Sequence, residues 1–286
     1  MKAAGLIKAV GPFLIVIENH HYMGKILAIA NQKGGVGKTT TAINLAASLA
    51  TLEKQVLLVD ADPQANSSSG LSMEVGSIDC TIYDCLINHA DPHEAIYTTD
   101  VSNLDIISSN INLAGAEKEL LLMEQGRDVV MKNMLELLKE EYDFIIIDCS
   151  PSLGSITVNA LTASEGVIIP VQCEYFALEG IAQLLNTIRL VKRKLNPGLQ
   201  IEGFLLTMYD GRLRLANQIY NEVKRHFEDL VFKTVIQRNV KLSEAPSHGM
   251  AAIQYDADAK GARNYLALAK EILNKEKKLS SENKIA

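Results

Sequence analysis

A glycine-rich segment that carries two lysines contains the residues best suited to chemistry. In order they are Lys33, Gly34, Gly35, Val36, Gly37, Lys38, Thr39 and Thr40. Glycines allow a backbone to turn several N–H groups towards anionic oxygens, which is how a phosphate-binding loop holds its ligand. In such a loop Lys38 can reach the β- and γ-phosphates, and the hydroxyl of Thr39 can hold Mg²⁺. The segment therefore predicts a binding site for a nucleoside triphosphate and Mg²⁺.

The elements on either side of this segment have the order that a phosphate-binding loop requires. An apolar run at 26–30 predicts a strand before the loop, and the pattern at 41–47 predicts a helix after it. The loop departs from the ordinary pattern, because Gln32 stands where glycine is usual and Lys33 follows it. Two lysines around one anion repel each other unless each has its own anionic partner. We therefore expect Lys33 to point outward, towards a nucleotide held by another subunit.

Three carboxylates follow two further apolar runs. Asp60 and Asp62 come after the run at 55–59, and Asp148 comes after the run at 143–147. Ligands of parallel α/β sheets bind at the carboxyl ends of the strands, so we expect all three carboxylates near the loop. Asp148 and Asp60, with the loop residue Thr39, are the predicted Mg²⁺ residues. Asp60 and Asp62 are expected near the γ-phosphate, where a carboxylate can orient the attacking water. A single such aspartate is commonly a cap or turn residue, but three beside a phosphate loop favour a site.

The order of apolar and amphipathic segments predicts the fold class. Buried-strand patterns alternate with amphipathic helices, for example over 177–195. This predicts an α/β fold with a doubly wound, mostly parallel sheet and helices on both faces, like that of P-loop NTPases. The 286 residues contain no Pro/Gly/Ser-rich linker, which favours one large domain. The four cysteines form no CxxC pair, which indicates reduced thiols and a cytoplasmic protein.

On these residues the chain resembles the deviant-loop ATPases, which include ParA/Soj partition proteins, MinD and the nitrogenase iron protein. In that family the early lysine crosses a dimer interface to the nucleotide of the partner. The segments 171–180, 205–210 and 238–249 resemble the ParA/Soj group rather than MinD. The resemblance runs from about Met23 to Lys275, which is nearly the whole chain.

The resemblance implies roles for particular residues. Lys33 matches the cross-dimer lysine, and Asp62 matches the aspartate that supports ATP hydrolysis. Gly34 matches the glycine that allows close approach at the dimer interface, and Asn239 matches a contact on the adenine side of ATP. Gln237 stands where these proteins usually have proline, so the segment around the base is where the chain departs from the family pattern.

The start of the resemblance also divides the chain. We interpret residues 1–22 as an N-terminal extension that is disordered or non-native, because the family-like region begins after them. Residues 23–276 form the predicted deviant Walker A ATPase domain, and 277–286 form a polar C-terminal tail.

The distribution of charge bears on nucleic-acid binding. The net charge is −6, but residues 1–180 carry 10 Lys and Arg against 23 Asp and Glu, whereas 181–286 carry 18 against 11. Any single basic residue in the second part can equally be interpreted as a solvated surface charge rather than a DNA contact. The resemblance selects Arg212 and Lys241 as non-specific DNA contacts. No base-reading motif is evident, so we expect contacts to DNA phosphates only.

The resemblance implies an ATP-dependent switch that acts in DNA partitioning. The expected partners are a second copy of the chain, non-specific double-stranded DNA and a ParB-like centromere-binding protein that stimulates hydrolysis. The expected location is the cytoplasm, in association with the nucleoid and without a membrane.

Two alternatives remain open. A MinD-like positioning ATPase would bind a membrane through a C-terminal amphipathic helix, whereas the apolar face at 265–273 is predicted to pack on the core. A nucleotide-binding module without turnover would lack an acidic switch residue, but all three aspartates are present.

Overall fold

The computed structural model describes residues 24–174 and 177–282, so the predicted N-terminal extension at 1–22 lies outside the described residues. Its strands are β1 (Lys25–Ile29), β2 (Val56–Ala61), β3 (Ile96–Thr98), β4 (Leu104–Ile107), β5 (Phe144–Cys149), β6 (Gly166–Gln172) and β7 (Gln200–Thr207). Its helices are α1 (Lys38–Thr51), α2 (Asn66–Ser69), α3 (Ile82–Ile87), α4 (Leu113–Leu122), α5 (Val130–Glu136), α6 (Ser155–Ala163), α7 (Ala177–Lys194), α8 (Arg214–Phe227), α9 (Lys241–Glu244), α10 (Ala252–Tyr255) and α11 (Lys260–Glu282).

The seven described strands form one sheet in the order β3-β4-β2-β5-β1-β6-β7. All neighbouring pairs are parallel except β3 and β4, which are antiparallel at one edge. The central strands are buried on both faces, as expected for parallel strands covered by helices. The chain leaves β1 and returns to the sheet at β2, beyond the later strand β5. The carboxyl ends of β1, β2 and β5 therefore meet at one edge of the sheet.

Helices cover both faces of the sheet, and each face has its own apolar core. On one face α1 and α11 pack together and bury a cluster that includes Leu45, Leu49, Tyr265 and Leu268. On the other face the strands pack against the helices from α3 to α8. The fold class predicted from the sequence is confirmed, including the mostly parallel sheet and the helical layers on both sides.

The C-terminal helix bears on two predictions. The apolar side of 265–273 packs on the core, because Tyr265, Leu268, Ala269 and Ile272 are buried. Helix α11 continues without a break across residue 276 to Glu282. The division of the chain at 276 therefore stays a prediction drawn from composition, and it does not coincide with the end of a helix.

Candidate nucleotide-binding site

The predicted phosphate loop lies between β1 and α1, as the sequence pattern indicated. Gly35 and Gly37 have φ values of 73° and 87°, in the left-handed region that favours glycine. Gly37 precedes the first residue of α1, and no side chain caps the start of that helix. The free N–H groups there form an anion-binding position. The loop is anchored by a hydrogen bond in which the Thr207 hydroxyl donates to the carbonyl oxygen of Val36 at 2.8 Å.

The two lysines of the loop have different surroundings. Lys38 is buried, and its Nζ donates to the carbonyl oxygen of Lys33 at 3.2 Å. Burial lowers the pKa of Lys38, and the negative charges of Asp148 and Asp62 act in the opposite direction. Lys33 instead lies partly exposed at the surface, where its Nζ is 3.3 Å from a carboxylate oxygen of Glu174. Each lysine thus has its own anionic or polar partner, and only Lys38 is enclosed by the loop.

The carboxylates Asp60 and Asp148 lie opposite each other on the neighbouring strands β2 and β5, and both are fully buried. The backbone N–H and the hydroxyl of Ser68 donate to Asp60 Oδ2 at 2.9 and 2.7 Å. The N–H of Asp62 donates to Asp60 Oδ1 at 3.2 Å. Burial raises the pKa of Asp60 to about 6, against the lowering effect of these hydrogen bonds. Both oxygens of Asp60 therefore already accept hydrogen bonds within the chain.

Asp148 differs from Asp60 because one of its oxygens has no donor. Ser67 donates its hydroxyl to Asp148 Oδ2 at 2.8 Å, whereas buried Oδ1 has no hydrogen-bond partner among the described residues. Burial, and next the charge of Asp60, raise the pKa of Asp148 to about 7. A buried carboxylate oxygen without a donor is costly unless a cation or an ordered water fills the position. Asp148 therefore fits a Mg²⁺ ion or one of its waters.

The donor set around Asp148 suits Mg²⁺ rather than a metal held by protein ligands alone. Among the described residues, no group of three or more His, Cys, Asp or Glu side chains is arranged to hold a metal ion. Mg²⁺ usually keeps several waters and binds through one or two carboxylates plus substrate phosphates. Thr39 lines the nucleotide cleft near Asp148, and its hydroxyl lowers the pKa of that carboxyl. The predicted metal residues Thr39 and Asp148 therefore lie together, and the role of Asp60 as a direct ligand stays a prediction.

A cleft of about 710 Å³ opens above the loop and the strand ends. It is lined by Gly34, Gly35, Gly37, Lys38, Thr39, Thr40, Asp62, Pro63, Gln64, Asn66, Ile111, Ala114, Pro151 and Met208. The predicted hydrolysis residue Asp62 thus shares a cleft with the phosphate loop. Asp62 is 8% exposed, and its Oδ1 accepts a hydrogen bond from the N–H of Gln64 at 3.0 Å. A triphosphate in this cleft would lie within reach of both loop and carboxylate.

A smaller cavity of about 130 Å³ adjoins the cleft and shares Gly37, Thr40 and Met208 with it. Asn239 lines this cavity, and its Oδ1 accepts a hydrogen bond from the N–H of Lys241 at 3.1 Å. The position suits the base side of a nucleotide whose phosphates occupy the loop. The contact of Asn239 with adenine stays a prediction.

The two predicted DNA-contact residues are both held by neighbouring carboxylates. Arg212 is exposed and forms a two-pronged pair with Asp210, with Nη2–Oδ2 and Nε–Oδ1 distances of 2.6 and 2.9 Å. Lys241 pairs with Glu244 at 2.9 Å, and its Nζ lies 5.2 Å from the ring centroid of Tyr255. Phosphates of DNA would have to compete with these partners, so the two contacts stay predictions.

Sequence reasoning missed three residues of the site. Ser67 and Ser68 orient the buried carboxylates, and Glu174 holds Lys33. The serines follow Asp62 closely in the chain, where hydroxyl groups beside predicted buried carboxylates are a usable signal. Nothing in the sequence pairs Glu174 with Lys33, because the two residues lie 141 positions apart.

The sheet, the loop and the paired strand ends define a phosphate-loop nucleotide-binding α/β protein. A model of the AAA domain family matches residues 24–201. The Soj protein of Bacillus subtilis, called a sporulation initiation inhibitor, is 58% identical over 250 residues, which are 87% of this chain and 98% of that one. The chromosome-partitioning ATPase Soj of Treponema pallidum is 52% identical over 88% of this chain and 98% of its own length. The chain therefore belongs to the ParA/Soj family of partitioning ATPases.

A solved structure of a protein with a different activity supports the fold. Cobyrinic acid a,c-diamide synthase from Mycobacterium smegmatis, with bound ADP and magnesium, matches with a TM-score of 0.79 and 36% identity. The match covers 89% of this chain and 96% of that one. That protein has a different activity, so the likeness of fold does not by itself distinguish the chemistry. The higher sequence identity to the Soj proteins distinguishes it, and the predicted ATPase class is confirmed.

Proposed function

We propose that this chain is an ATP-dependent dimerising switch that acts in DNA partitioning. The observation that carries the proposal is the different placement of the two loop lysines. Lys38 is enclosed by its own loop, whereas Lys33 lies at the surface beside Glu174. A lysine at that position is available to a nucleotide on a facing subunit. The Soj relatives, one of them named a chromosome-partitioning ATPase, support the same reading.

ATP and Mg²⁺ are the ligands that the site fits. The free N–H groups at the start of α1 and the ammonium of Lys38 bind the phosphates. A Mg²⁺ ion held there would neutralise charge that develops during phosphoryl transfer. The residues that would hold the ion are Thr39 and Asp148, whose Oδ1 has no hydrogen-bond partner in the described part of the chain. The solved relative with ADP and magnesium has the same fold.

The surface around Gly34 suits a closely approaching partner. A side chain at Gly34 would meet no atom within 4 Å in the described part of this chain, so crowding within one protomer does not require glycine there. We infer that the space is filled from outside, by the second subunit. Lys33 then stabilises charge on the triphosphate of the partner, while Asp62 orients the attacking water.

The switch would couple ATP binding to DNA binding. A dimer doubles the number of basic side chains that face DNA phosphates, including Arg212 and Lys241, so dimer formation raises affinity without base contacts. A ParB-like centromere-binding protein would stimulate hydrolysis and release the dimer from the nucleoid. Within the described residues, no helix has both the length and the apolar character needed to cross a bilayer.

DNA binding by variants tests this proposal. We expect the wild-type protein to bind duplex DNA in the presence of ATP, and not to bind it in the presence of ADP or without nucleotide. Lys38→Ala should lose nucleotide, because the phosphates lose their enclosed cation. Lys33→Ala should keep nucleotide but remain a monomer, and Asp62→Ala should form an ATP dimer that stays on DNA. The measurements are fluorescence anisotropy with labelled DNA and light scattering after size-exclusion chromatography.

Lys118→Ala is the matched control, because Lys118 is exposed and lies outside the site. It should behave like the wild-type protein in each assay. A monomeric Asp62→Ala protein in the presence of ATP would contradict the proposal. Co-sedimentation with anionic liposomes tests the MinD-like alternative, and we expect no binding.

A further inference from the structure

An apolar groove of about 580 Å³ lies between α3 and α5, apart from the residues that line the nucleotide cleft. Its apolar lining includes Cys85, Pro92, Met123, Val130, Met134 and Leu137. The groove takes its walls from two helices and from the segment that joins α4 to α5. A concave surface lined by apolar side chains is a usual position for a bound ligand or a docked segment.

Large apolar side chains are exposed at and near this groove. Leu137 lines it and is 62% exposed, and Leu122, which immediately precedes the lining residue Met123, is 82% exposed. Leu121 is 58% exposed. Single exposed leucines are ordinary, but a set of them next to an apolar groove indicates an interaction surface.

The stretch of chain that supplies the groove is rich in acidic residues. Residues 55–117 contain no lysine or arginine, and residues 80–141 carry 12 Asp and Glu against 4 Lys and Arg. Some of these charges are paired within the chain on both sides: Lys139 pairs with Glu165, and His93 lies between Asp91 and Glu141. Glu124 lines the groove, is exposed, and makes no ion pair among the described residues. Glu124 is the one charged residue among the described lining residues, so the groove combines a mostly apolar lining with a negative charge at its edge.

This charge selects among the possible occupants. A second copy of the chain would bring one acidic surface against another, and like charges in contact oppose association. Anionic lipids and nucleic acid are repelled for the same reason. A protein segment with leucine-like side chains on one face and lysine or arginine on the other can place the apolar side chains in the groove and the cations beside the acidic residues.

We propose that this groove is the docking site for a basic amphipathic segment of a partner protein. The proposal deepens the proposed function, since it assigns a surface to the partner. Its test needs neither hydrolysis nor DNA, so the two can fail separately.

Helix α4 connects the groove to the nucleotide cleft. Ile111 and Ala114 line the cleft at the start of this helix, and Met123 lines the groove immediately after its end. Ten helical residues span about 15 Å, so one rigid element reaches both sites. A segment that docks on Met123 therefore contacts the residue that directly follows the helix bordering the nucleotide cleft.

Peptide binding measures the proposed docking directly. The probe is a fluorescein-labelled 16-residue peptide of lysine, leucine and alanine, with its leucines on one helical face. An isomer of the same composition, with the leucines dispersed around the helix, separates apolar docking from general charge attraction. We expect the amphipathic peptide to bind at least about 10-fold more tightly than the isomer, which corresponds to burying about one leucine side chain.

Two groove variants and two controls locate the peptide. Leu137→Gln and Glu124→Lys should each weaken binding of the amphipathic peptide by about 5-fold or more, through loss of apolar contact and reversal of the charge at the groove's edge respectively. The controls Leu279→Gln and Asp229→Lys change exposed residues elsewhere and should stay within about 2-fold. The proposal would be overturned if the two peptides bound equally well, or if neither groove variant changed the affinity for the amphipathic peptide. A change of oligomeric state in Leu137→Gln, measured by light scattering, would identify the groove as a contact between copies and would also overturn it.

Discussion

At the scale of single residues, two serines decide how the buried carboxylates present their oxygens. Ser68 and the N–H of Asp62 occupy both oxygens of Asp60. Ser67 donates to one oxygen of Asp148, and no other described residue donates to the second oxygen. The two carboxylates look equivalent in the sequence, since each follows an apolar strand. Their hydrogen bonds make one a structural anchor of the segment after β2 and leave the other open to a cation.

Replacement of Ser67 tests this division of roles. We expect Ser67→Ala to weaken Mg²⁺-dependent ATP binding by about 10-fold or more, because groups that orient metal ligands commonly have effects of that size. ATP binding in the presence of EDTA should change little, and Ser67→Thr should restore the Mg²⁺ effect. Isothermal titration calorimetry measures both conditions. Ser48→Ala is the matched control, because the buried Ser48 hydroxyl has no partner among the described residues. An equal loss with EDTA and with Mg²⁺ would count against the assigned role.

At the scale of elements, α4 holds the start of α6 as well as bordering the cleft. Helix α6 begins after Gly154, which has no side chain to cap it. Glu117 on α4 supplies the cap instead, because its carboxylate accepts the N–H of Ser155 at 2.6 Å. A negative charge at a helix N-terminus is also favoured by the helix dipole. A Cβ atom at Gly154 would lie 2.4 Å from the Glu117 carboxylate, which explains why glycine fits there.

Loss of this cap should be measurable in the free energy of unfolding. We expect Glu117→Ala to destabilise the protein by about 1–2 kcal/mol, the range for a lost helix cap or a hydrogen bond to a charged group. Urea denaturation followed by circular dichroism gives the value. Glu140→Ala is the control, since Glu140 is exposed and makes no ion pair among the described residues, and it should stay within about 0.5 kcal/mol. Equal stability of the two variants would show that the cap is energetically unimportant.

At the scale of the whole molecule, opposite charges are separated along the chain. The acidic first part includes the groove between α3 and α5, whereas the second part exposes basic residues on α7 and α8. These are Arg189, Lys192, Arg193, Lys194, Arg214, Lys224 and Arg225. The net charge of −6 is therefore the sum of an acidic first part and a second part with exposed basic residues, and the latter are the ones that could attract phosphates.

The proposed DNA binding should depend steeply on salt. If an ATP-loaded dimer engages about 6–10 phosphates, its affinity for duplex DNA should fall about 10³–10⁵-fold between 50 and 200 mM salt. Titrations at several salt concentrations give the slope directly, and a duplex of unrelated sequence should give the same slope. An affinity that stays flat over this range would exclude phosphate contacts as the basis of binding.

The sequence predicted the fold and the loop well because both depend on local patterns. The apolar run before the loop forms β1, and the runs before Asp60 and Asp148 form β2 and β5. These strands bring the carboxylates to the loop. Contacts between distant residues were not predictable, because no periodicity links Lys33 to Glu174 or Glu117 to Ser155. The groove was not predictable either, since its walls come from helices whose packing depends on the whole sheet.

The contact of Lys33 with Glu174 has a further consequence for assembly. A lone protomer already pairs its surface lysine with Glu174. In the proposed dimer, pairing with a facing triphosphate would therefore replace one counter-ion by another. The free energy gained is only the difference between the energies of the two ion pairs, and an exposed lysine–carboxylate pair is itself weak. The proposed association would then be easily reversed once the terminal phosphate leaves, because the released lysine would return to an anion in its own chain.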